Sequence, residues 1–320
     1  MPLLIREDDV RRLVKVEDAL AAVEAAFVEQ ARGTGTNMPR RRVRQPHGTL
    51  HLMGAALVER GYWGFKAYTT TREGARFTVM LYELRGGRLL AIIEADRLGQ
   101  LRTGAASGVA TKYLAPQEAD VLALFGAGYQ AETQLEAIAA VRPLREVRVF
   151  CRTPERRRAF AERMAARLGL AVRPAQSPEE ALEGAAIITT ITTSRHPLFD
   201  GRLIHPGAHI NAAGSNAAVR AELDAHAVRR ATAIFVDDVQ QARFECGDLI
   251  QAHQRNALTW ERVRPLADVV AGFHPGRQSA QDITLFESQG VALWDVALAA
   301  EVYEKAKASS VGDLVEFGDG

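Results

Sequence analysis

Apolar positions change their period twice along the chain. Val16, Leu20, Val23 and Phe27 recur at helical spacing, and Gly33 and Gly35 follow, so residues 16–32 are predicted as an amphipathic helix. Between residues 50 and 93 the pattern turns to β-structure. Trp63 to Tyr68, Phe77 to Leu84 and Leu89 to Ile93 are apolar, β-branched or aromatic runs, and Arg85-Gly86-Gly87-Arg88 makes a hairpin turn. The stretch from Asn37 to His47 is polar and basic and is given no element. Thr103 to Tyr113 is rich in Ala, Gly and Ser, a composition that lets a helix lie close to a neighbouring backbone.

From Ala119 the rhythm becomes strand–helix alternation. Val121 to Phe125 is a continuous apolar run, expected of a strand buried on both faces. Helices are predicted at Gln130 to Val141 and Pro154 to Leu168. Ser177 followed by Glu180 is a capping-box start for a short one. Further strands are predicted at Glu146 to Cys151, Ala186 to Ile191, His209 to Ala213, Ala233 to Val236 and Ile283 to Phe286, before a final helix from Val291 to Ala308. This βαβαβ order implies an α/β fold: a Rossmann-type, doubly wound parallel sheet over residues 117–289. A smaller α+β domain is expected from residues 1–116, with 290–320 returning to it and the boundary near Pro116.

Composition narrows the partners. The chain has 320 residues, 40 Lys+Arg against 39 Asp+Glu and a net charge of +1, so no basic excess points to nucleic acid or a membrane surface. Its 2 cysteines, Cys151 and Cys246, suit neither a disulfide scaffold nor a cysteine metal site. The N-terminus turns acidic at Glu7-Asp8-Asp9 before an apolar run builds, and no stretch reads as a membrane span. A cytoplasmic protein with a small-molecule partner is expected. The eight histidines are dispersed without metal-ligand spacing, His209 reads as structural, and no G-x-S-x-G elbow is present, so no metal is expected.

The sharpest motif is Gly126-Ala127-Gly128-Tyr129-Gln130-Ala131, a G-x-G-x-x-A turn directly after a predicted strand and opening a predicted helix. Gly126 permits the tight turn, Gly128 lets the backbone approach a pyrophosphate, and Ala131 lets the helix lie close to the sheet. Tyr129 and Gln130 open the anion-binding helix. At the end of the second strand an NAD site places a carboxylate on the ribose, whereas here Cys151-Arg152-Thr153 stands there. Arg152 and Thr153 are therefore assigned to a 2′-phosphate, with NADP(H) preferred and NAD(H) still admissible. Arg157 and Arg158 are read as a solvated helix face.

Several motifs in one order resemble the ornithine cyclodeaminase/mu-crystallin family, which also holds archaeal-type alanine dehydrogenases and ketimine reductases. They are Leu101-Arg102-Thr103-Gly104-Ala105-Ala106, Lys112-Tyr113-Leu114-Ala115, Phe125 to Gly128, Pro206 to Ala212 with Glu222-Leu223-Asp224, and Thr284 to Ser288 with Gly290. The resemblance runs over nearly the whole length. It implies a homodimer built on the N-terminal region and a small α-amino or α-imino acid as substrate. By position after Pro39, it makes Arg41 the arginine for the substrate carboxylate. It makes Lys66, a lysine inside the apolar run Trp63 to Tyr68, a substrate-binding and polarising group, and gives Arg102 to substrate or cofactor. Thr78, Thr193, Ala213, Gly214 and Ser288 become cofactor contacts, although an outward strand threonine explains Thr78 equally well. Asn216 stands where the family's cyclodeaminases carry an aspartate that exchanges protons. The resulting expectation is an NAD(P)H-dependent reductase of a small α-imino acid, or the matching amino-acid dehydrogenase. The alternatives are a cyclodeaminase-type ammonia-lyase using catalytic NAD and a non-enzymatic NADP-binding protein.

Overall fold

The computed structural model describes residues 1–316, so 317–320, the end of the segment expected to return to the first domain, lie outside the described residues. Contacts divide the chain into two units: Met1–Arg102 with the chain from Val291 on, and Thr103–Gly290.

The first unit opens with β1 (Leu3–Ile5), α1 (Glu7–Leu13) and α2 (Val16–Ala31). Strands β2 (Gly35–Gln45), β3 (Gly48–Leu57), β4 (Tyr62–Thr71), β5 (Gly74–Glu83) and β6 (Leu89–Glu94) then run as an antiparallel meander. The basic stretch that carried no apolar period is thus the strand β2. Its inward positions hold arginines instead of apolar residues, so the period of two is present but written in charge: Arg40 is buried, Arg41 exposed and Arg42 half-buried. The glycine-rich turn between β5 and β6 forms as expected, with Gly87 at φ +67 and the Glu83 amide donating to the Arg88 carbonyl.

Helix α3 (Asp96–Leu114) leads into the second unit. There follow β7 (Val121–Phe125), α4 (Tyr129–Val141), β8 (Glu146–Phe150), α5 (Pro154–Leu168), β9 (Ala171–Pro174), α6 (Pro178–Leu182), β10 (Ile187–Thr190) and β11 (His209–Ala212). Next are α7 (Ala225–Arg230), β12 (Ala233–Val236), α8 (Val239–Glu245), α9 (Gly247–Gln254), β13 (Val263–Pro265), α10 (Leu266–Val270) and β14 (Thr284–Glu287). Ser177 caps α6 as predicted, its hydroxyl accepting from the Glu180 amide at 3.2 Å. The chain then returns through α11 (Ala292–Ala308) and β15 (Asp313–Leu314) to the first unit.

The second unit's 8-stranded sheet is ordered β13-β12-β14-β11-β10-β7-β8-β9, every pair parallel. Order reverses between β7 and β10, which is the switch point where doubly wound sheets bind ligands at their carboxyl ends. The fold is α/β and Rossmann-like. In the first unit a 7-stranded sheet, β15-β1-β6-β5-β4-β3-β2, packs α2 and α11 on one face. Helix α11 is apolar nearly all round and buried from Ala292 to Ala300, and Trp294 meets Phe27 of α2 at 5.2 Å between ring centroids.

The division between units falls inside α3, after Arg102, and not near Pro116. Packing explains this. A Cβ at Gly104 would lie 2.3 Å from the Thr133 carbonyl oxygen of α4, so the small-residue part of α3 is pressed onto the second unit's own helix. Arg142 ties the end of α3 there as well, donating to the carbonyls of Lys112, Ala115 and Pro116. Replacing Gly104 by Ala forces two backbones apart and is expected to lower stability by about 1–3 kcal/mol. A fall in the thermal midpoint measures it.

Candidate active site

Strand register in the first unit sets a row of polar side chains on the face that α11 covers. Arg42 lies opposite His51, His51 opposite Tyr68, Met53 opposite Lys66 and Lys66 opposite Val79. Lys66 is fully enclosed, and its Nζ donates to Asp295 Oδ1 of α11 at 2.9 Å. Arg102 Nε donates to the same oxygen at 3.1 Å. Burial pushes the Lys66 ammonium down to about 8; Asp295 opposes that shift, while Arg102 and Arg40 add to it. Burial alone would raise the Asp295 carboxyl, but Arg102, Lys66 and Arg40 outweigh it and hold it below the usual range. The ring of Phe77 lies 4.9 Å from Lys66 Nζ and that of Tyr68 5.6 Å, so the amine sits over aromatic faces. A Cβ at Gly99 would come within 3.0 Å of the same nitrogen.

Two residues expected at the site lie outside this cluster. Arg41 is exposed, opposite the exposed Leu52, while Arg40 is the arginine of the run that is buried and acts on Lys66 and Asp295. The register shift between Met38 and Arg41 moves the inward side chain by one place, which counting from Pro39 cannot anticipate. Thr78 is exposed and pairs with Ala67, out of phase with Lys66. Asp295 escaped sequence reasoning altogether. Its signal was available: a lone carboxylate within Val291-Ala292-Leu293-Trp294-Asp295-Val296-Ala297-Leu298.

In the second unit, the turn after β7 has the geometry of a dinucleotide cradle. Gly126 adopts φ +131, and a Cβ there would lie 2.6 Å from the Ile191 carbonyl oxygen after β10. At Gly128 nothing stands within 4 Å of the Cβ position, leaving the open approach a pyrophosphate needs. Ala131 is buried in the core between α4 and the sheet. Tyr129 is exposed at the helix start, and Gln130 Oε1 is buried with no hydrogen-bond partner. These residues fit a dinucleotide. At the end of β8, Arg152 and Thr153 are exposed. Arg158 is exposed too, but Arg157 is buried, correcting its reading as solvated: it donates to the Cys151 carbonyl and to Gln176 and stacks on Phe150.

Thr193 is exposed in the loop after β10, Ala213 and Gly214 follow β11 half-buried, and Ser288 is buried just after β14. Behind these loops lies a set of buried acids. Glu222 accepts from Thr190 Oγ1 at 2.9 Å, the Thr192 amide at 2.6 Å and the Gly214 amide at 2.8 Å. Asp248 in turn accepts from the amides of Glu222 and Leu223, and Asp237 from those of Gln289 and Gly290. Burial pushes Glu222 and Asp237 up to about 7 and Asp248 to about 6. Cys246, Asp248 and Glu287 bring candidate ligand atoms within 4.8 Å of one another. Burial drives Cys246 and Glu287 to their neutral forms, and the thiol donates to the carboxyl at 3.3 Å. His209 is structural: fully buried, it shares hydrogen bonds with Thr284 and Asn211, and burial pushes it down to about 3.

The raised acids bind protons more tightly in the folded than in the unfolded chain. Their stabilising contribution is therefore complete below their ordinary range near 4 and is lost as pH rises through about 7. Urea midpoints are expected to fall between pH 5 and pH 8, and Glu222→Gln should flatten that slope.

Known proteins share this architecture. Residues 2–310 match the model of the ornithine cyclodeaminase/mu-crystallin family. An alanine dehydrogenase of Archaeoglobus fulgidus is 34% identical over 324 residues, covering 98% of each chain. The structure of Thermococcus litoralis Δ(1)-pyrroline-2-carboxylate reductase in complex with NADH and L-proline superposes with a TM-score of 0.94 at 32% identity, over 98% of this chain and 100% of that one. The iminosuccinate reductase of Paracoccus denitrificans in complex with NAD+ superposes with a TM-score of 0.93 at 33% identity, over 99% of both. With the family model spanning nearly all of it and these relatives aligned along its length, the chain belongs to the ornithine cyclodeaminase/mu-crystallin family.

Proposed function

We propose that the protein is an NAD(P)-dependent oxidoreductase of CH–NH or CH–NH2 groups, reducing a small α-imino acid or running the matching amino-acid dehydrogenation. The observation that carries this reading is the buried Lys66–Asp295–Arg102 cluster, a lysine whose ammonium is brought to about 8 among cations suited to a carboxylate. Relatives named alanine dehydrogenase, pyrroline-2-carboxylate reductase and iminosuccinate reductase support the same chemistry.

Reduced nicotinamide, when bound, supplies the hydride to the imine carbon. Arg40 and Arg102 hold the substrate carboxylate, for which a guanidinium offers two parallel hydrogen bonds. Lys66 polarises the imine and provides the proton that the nitrogen takes up; Asp295 keeps that amine in place. The amide of Asn216 hydrogen-bonds but exchanges no proton at neutral pH. Glu222 does not replace it, because both its oxygens are engaged by Thr190, Thr192 and Gly214 in a buried position. Asp282 accepts from the amides of Gln278 and Ser279 through one oxygen, which holds its carboxyl below the usual range.

The finer cofactor choice rests on Arg152 and Thr153, which offer a cation and a hydroxyl where a carboxylate would select NAD. NADPH is the preferred donor on this reading, with NADH accepted. Assembly is a homodimer through the outer face of β2, β3 and β4, where Met38, Leu50, Leu52 and Trp63 are exposed.

Four measurements test the reading. NADPH is expected to bind more tightly than NADH in a fluorescence titration, and Arg152→Ala to remove most of the difference; tighter NADH binding contradicts it. With α-keto acids and ammonium as the imine source, kcat/KM for reduction should fall as pH rises through about 8, where the Lys66 ammonium is lost. Lys66→Met should cost at least about a hundredfold. Ornithine with catalytic cofactor should release no ammonium, since Asn216 cannot exchange the protons that cyclodeamination requires; robust release would favour the cyclodeaminase reading.

A further inference from the structure

Backbone hydrogen bonding in the second unit runs one residue past the ends of β10 and β11. The Ile191 amide donates to the Phe125 carbonyl and the Ala213 amide to the Thr190 carbonyl, both at 2.9 Å. The next amide on each segment donates to a side chain instead, and it is the same one. Thr192 donates to Glu222 Oε1 at 2.6 Å and Gly214 to Glu222 Oε2 at 2.8 Å. The Thr190 hydroxyl also reaches Oε2, at 2.9 Å. The carboxyl thus continues the β10–β11 ladder where the strands part. Glu222 is fully buried, and its own backbone is fixed on both sides. Its amide donates to Asp248 Oδ1 at 2.7 Å, and its carbonyl accepts from the Leu198 amide at 2.9 Å. Gly214 leaves the room this needs: a Cβ there would lie 2.5 Å from both Glu222 oxygens. Three donors converge on Glu222, and a carboxylate offers two acceptor oxygens to receive them.

We propose that Glu222 is a positioning residue for the nicotinamide half of the cofactor, presenting Thr192–Thr193 and Gly214–Asn216 to it as one surface. The inference rests on the reductase reading and concerns that same site. In a doubly wound sheet the first strands, here β7 and β8, take the pyrophosphate and the adenosine ribose. The strands beyond the switch point, β10 and β11, therefore face the other half of the dinucleotide. Glu222 acts through the two backbone segments it joins. A glutamine of the same shape cannot replace it. In one orientation its NH2 faces the Thr192 amide, in the other the Gly214 amide, so a buried N–H loses its acceptor either way. Hydride transfer is sensitive to displacements of about 1 Å, so loosening these segments slows it.

Calorimetric titration tests this without turnover. Whichever of NADPH and NADH binds more tightly is compared with its own fragment lacking nicotinamide, 2′-phospho-ADP-ribose or ADP-ribose. Glu222→Gln should weaken the intact cofactor by about tenfold and leave the fragment unchanged, whereas general damage to the fold weakens both. In turnover, kcat should fall by at least about tenfold at an unchanged KM for the imino acid, because Arg40, Lys66 and Arg102 belong to the first unit. Thr190→Val removes one donor and keeps the shape. It should shift the ratio of intact to fragment affinity in the same direction by about threefold, and it decides the matter if Glu222→Gln does not fold. A ratio that stays at the wild-type value, or a fragment weakened as much as the intact cofactor, overturns the inference while leaving the reductase reading in place. A wild type that binds neither NADPH nor NADH overturns both.

Discussion

One carboxylate oxygen organises the first unit. Asp295 Oδ1 receives both Lys66 and Arg102 in a place without solvent, and Arg40 adds to the field around it. Taking three such charges out of water is costly, and only close pairing offsets the cost; removing one partner leaves the rest uncompensated. The arrangement therefore holds Lys66 in one position and brings its ammonium near the pH at which it can give or take a proton. Aromatic faces of Tyr68 and Phe77 complete the lining, so the amine is confined by packing as well as by charge.

The second unit solves the opposite problem, acids without cations. Glu222 accepts from two amides and the Thr190 hydroxyl, Asp248 from the amides of Glu222 and Leu223, and Glu287 from the Cys246 thiol. Burial raises all three carboxyls, and Glu222 brackets the loops after β10 and β11. Gly247 belongs to the same bracket: a Cβ there would lie 1.8 Å from the Arg220 carbonyl oxygen, so the start of α9 is pressed against the 217–223 loop. The backbone on either side of Asn216 is thus anchored at Gly214 and at Glu222–Leu223.

How legible this was differs by unit for a physical reason. In the Rossmann unit, parallel strands buried on both faces must be apolar throughout, so Val121–Phe125 and Ala233–Val236 stand out and Gly126 follows on schedule. The short elements α7 to α10 were not read, because helices of five to eight residues give too few turns for a period. In the first unit the functional row occupies the positions that normally carry the apolar signal. Arg40, Arg42 and His51 replace it, and β2 was invisible as a strand. The same bulge that re-aims Arg40 defeated counting from Pro39. Asp295 lies 229 residues from Lys66, a separation at which no local pattern links the two.

That separation bears on how the molecule is made. The first unit is interrupted by the whole of the second, and α11, which fills its core and carries Asp295, follows Gly290. Chains emerge from the ribosome N-terminus first, and domains fold as units. While residues 103–290 are being synthesised, Lys66 and Arg102 already exist without their counter-ion and the β-sheet lacks its covering helix. The second unit is contiguous in sequence, whereas the first waits for the chain to return. The ion pair is therefore also a closing step of assembly: Lys66 and Arg102 acquire their buried setting only once the second unit has been made.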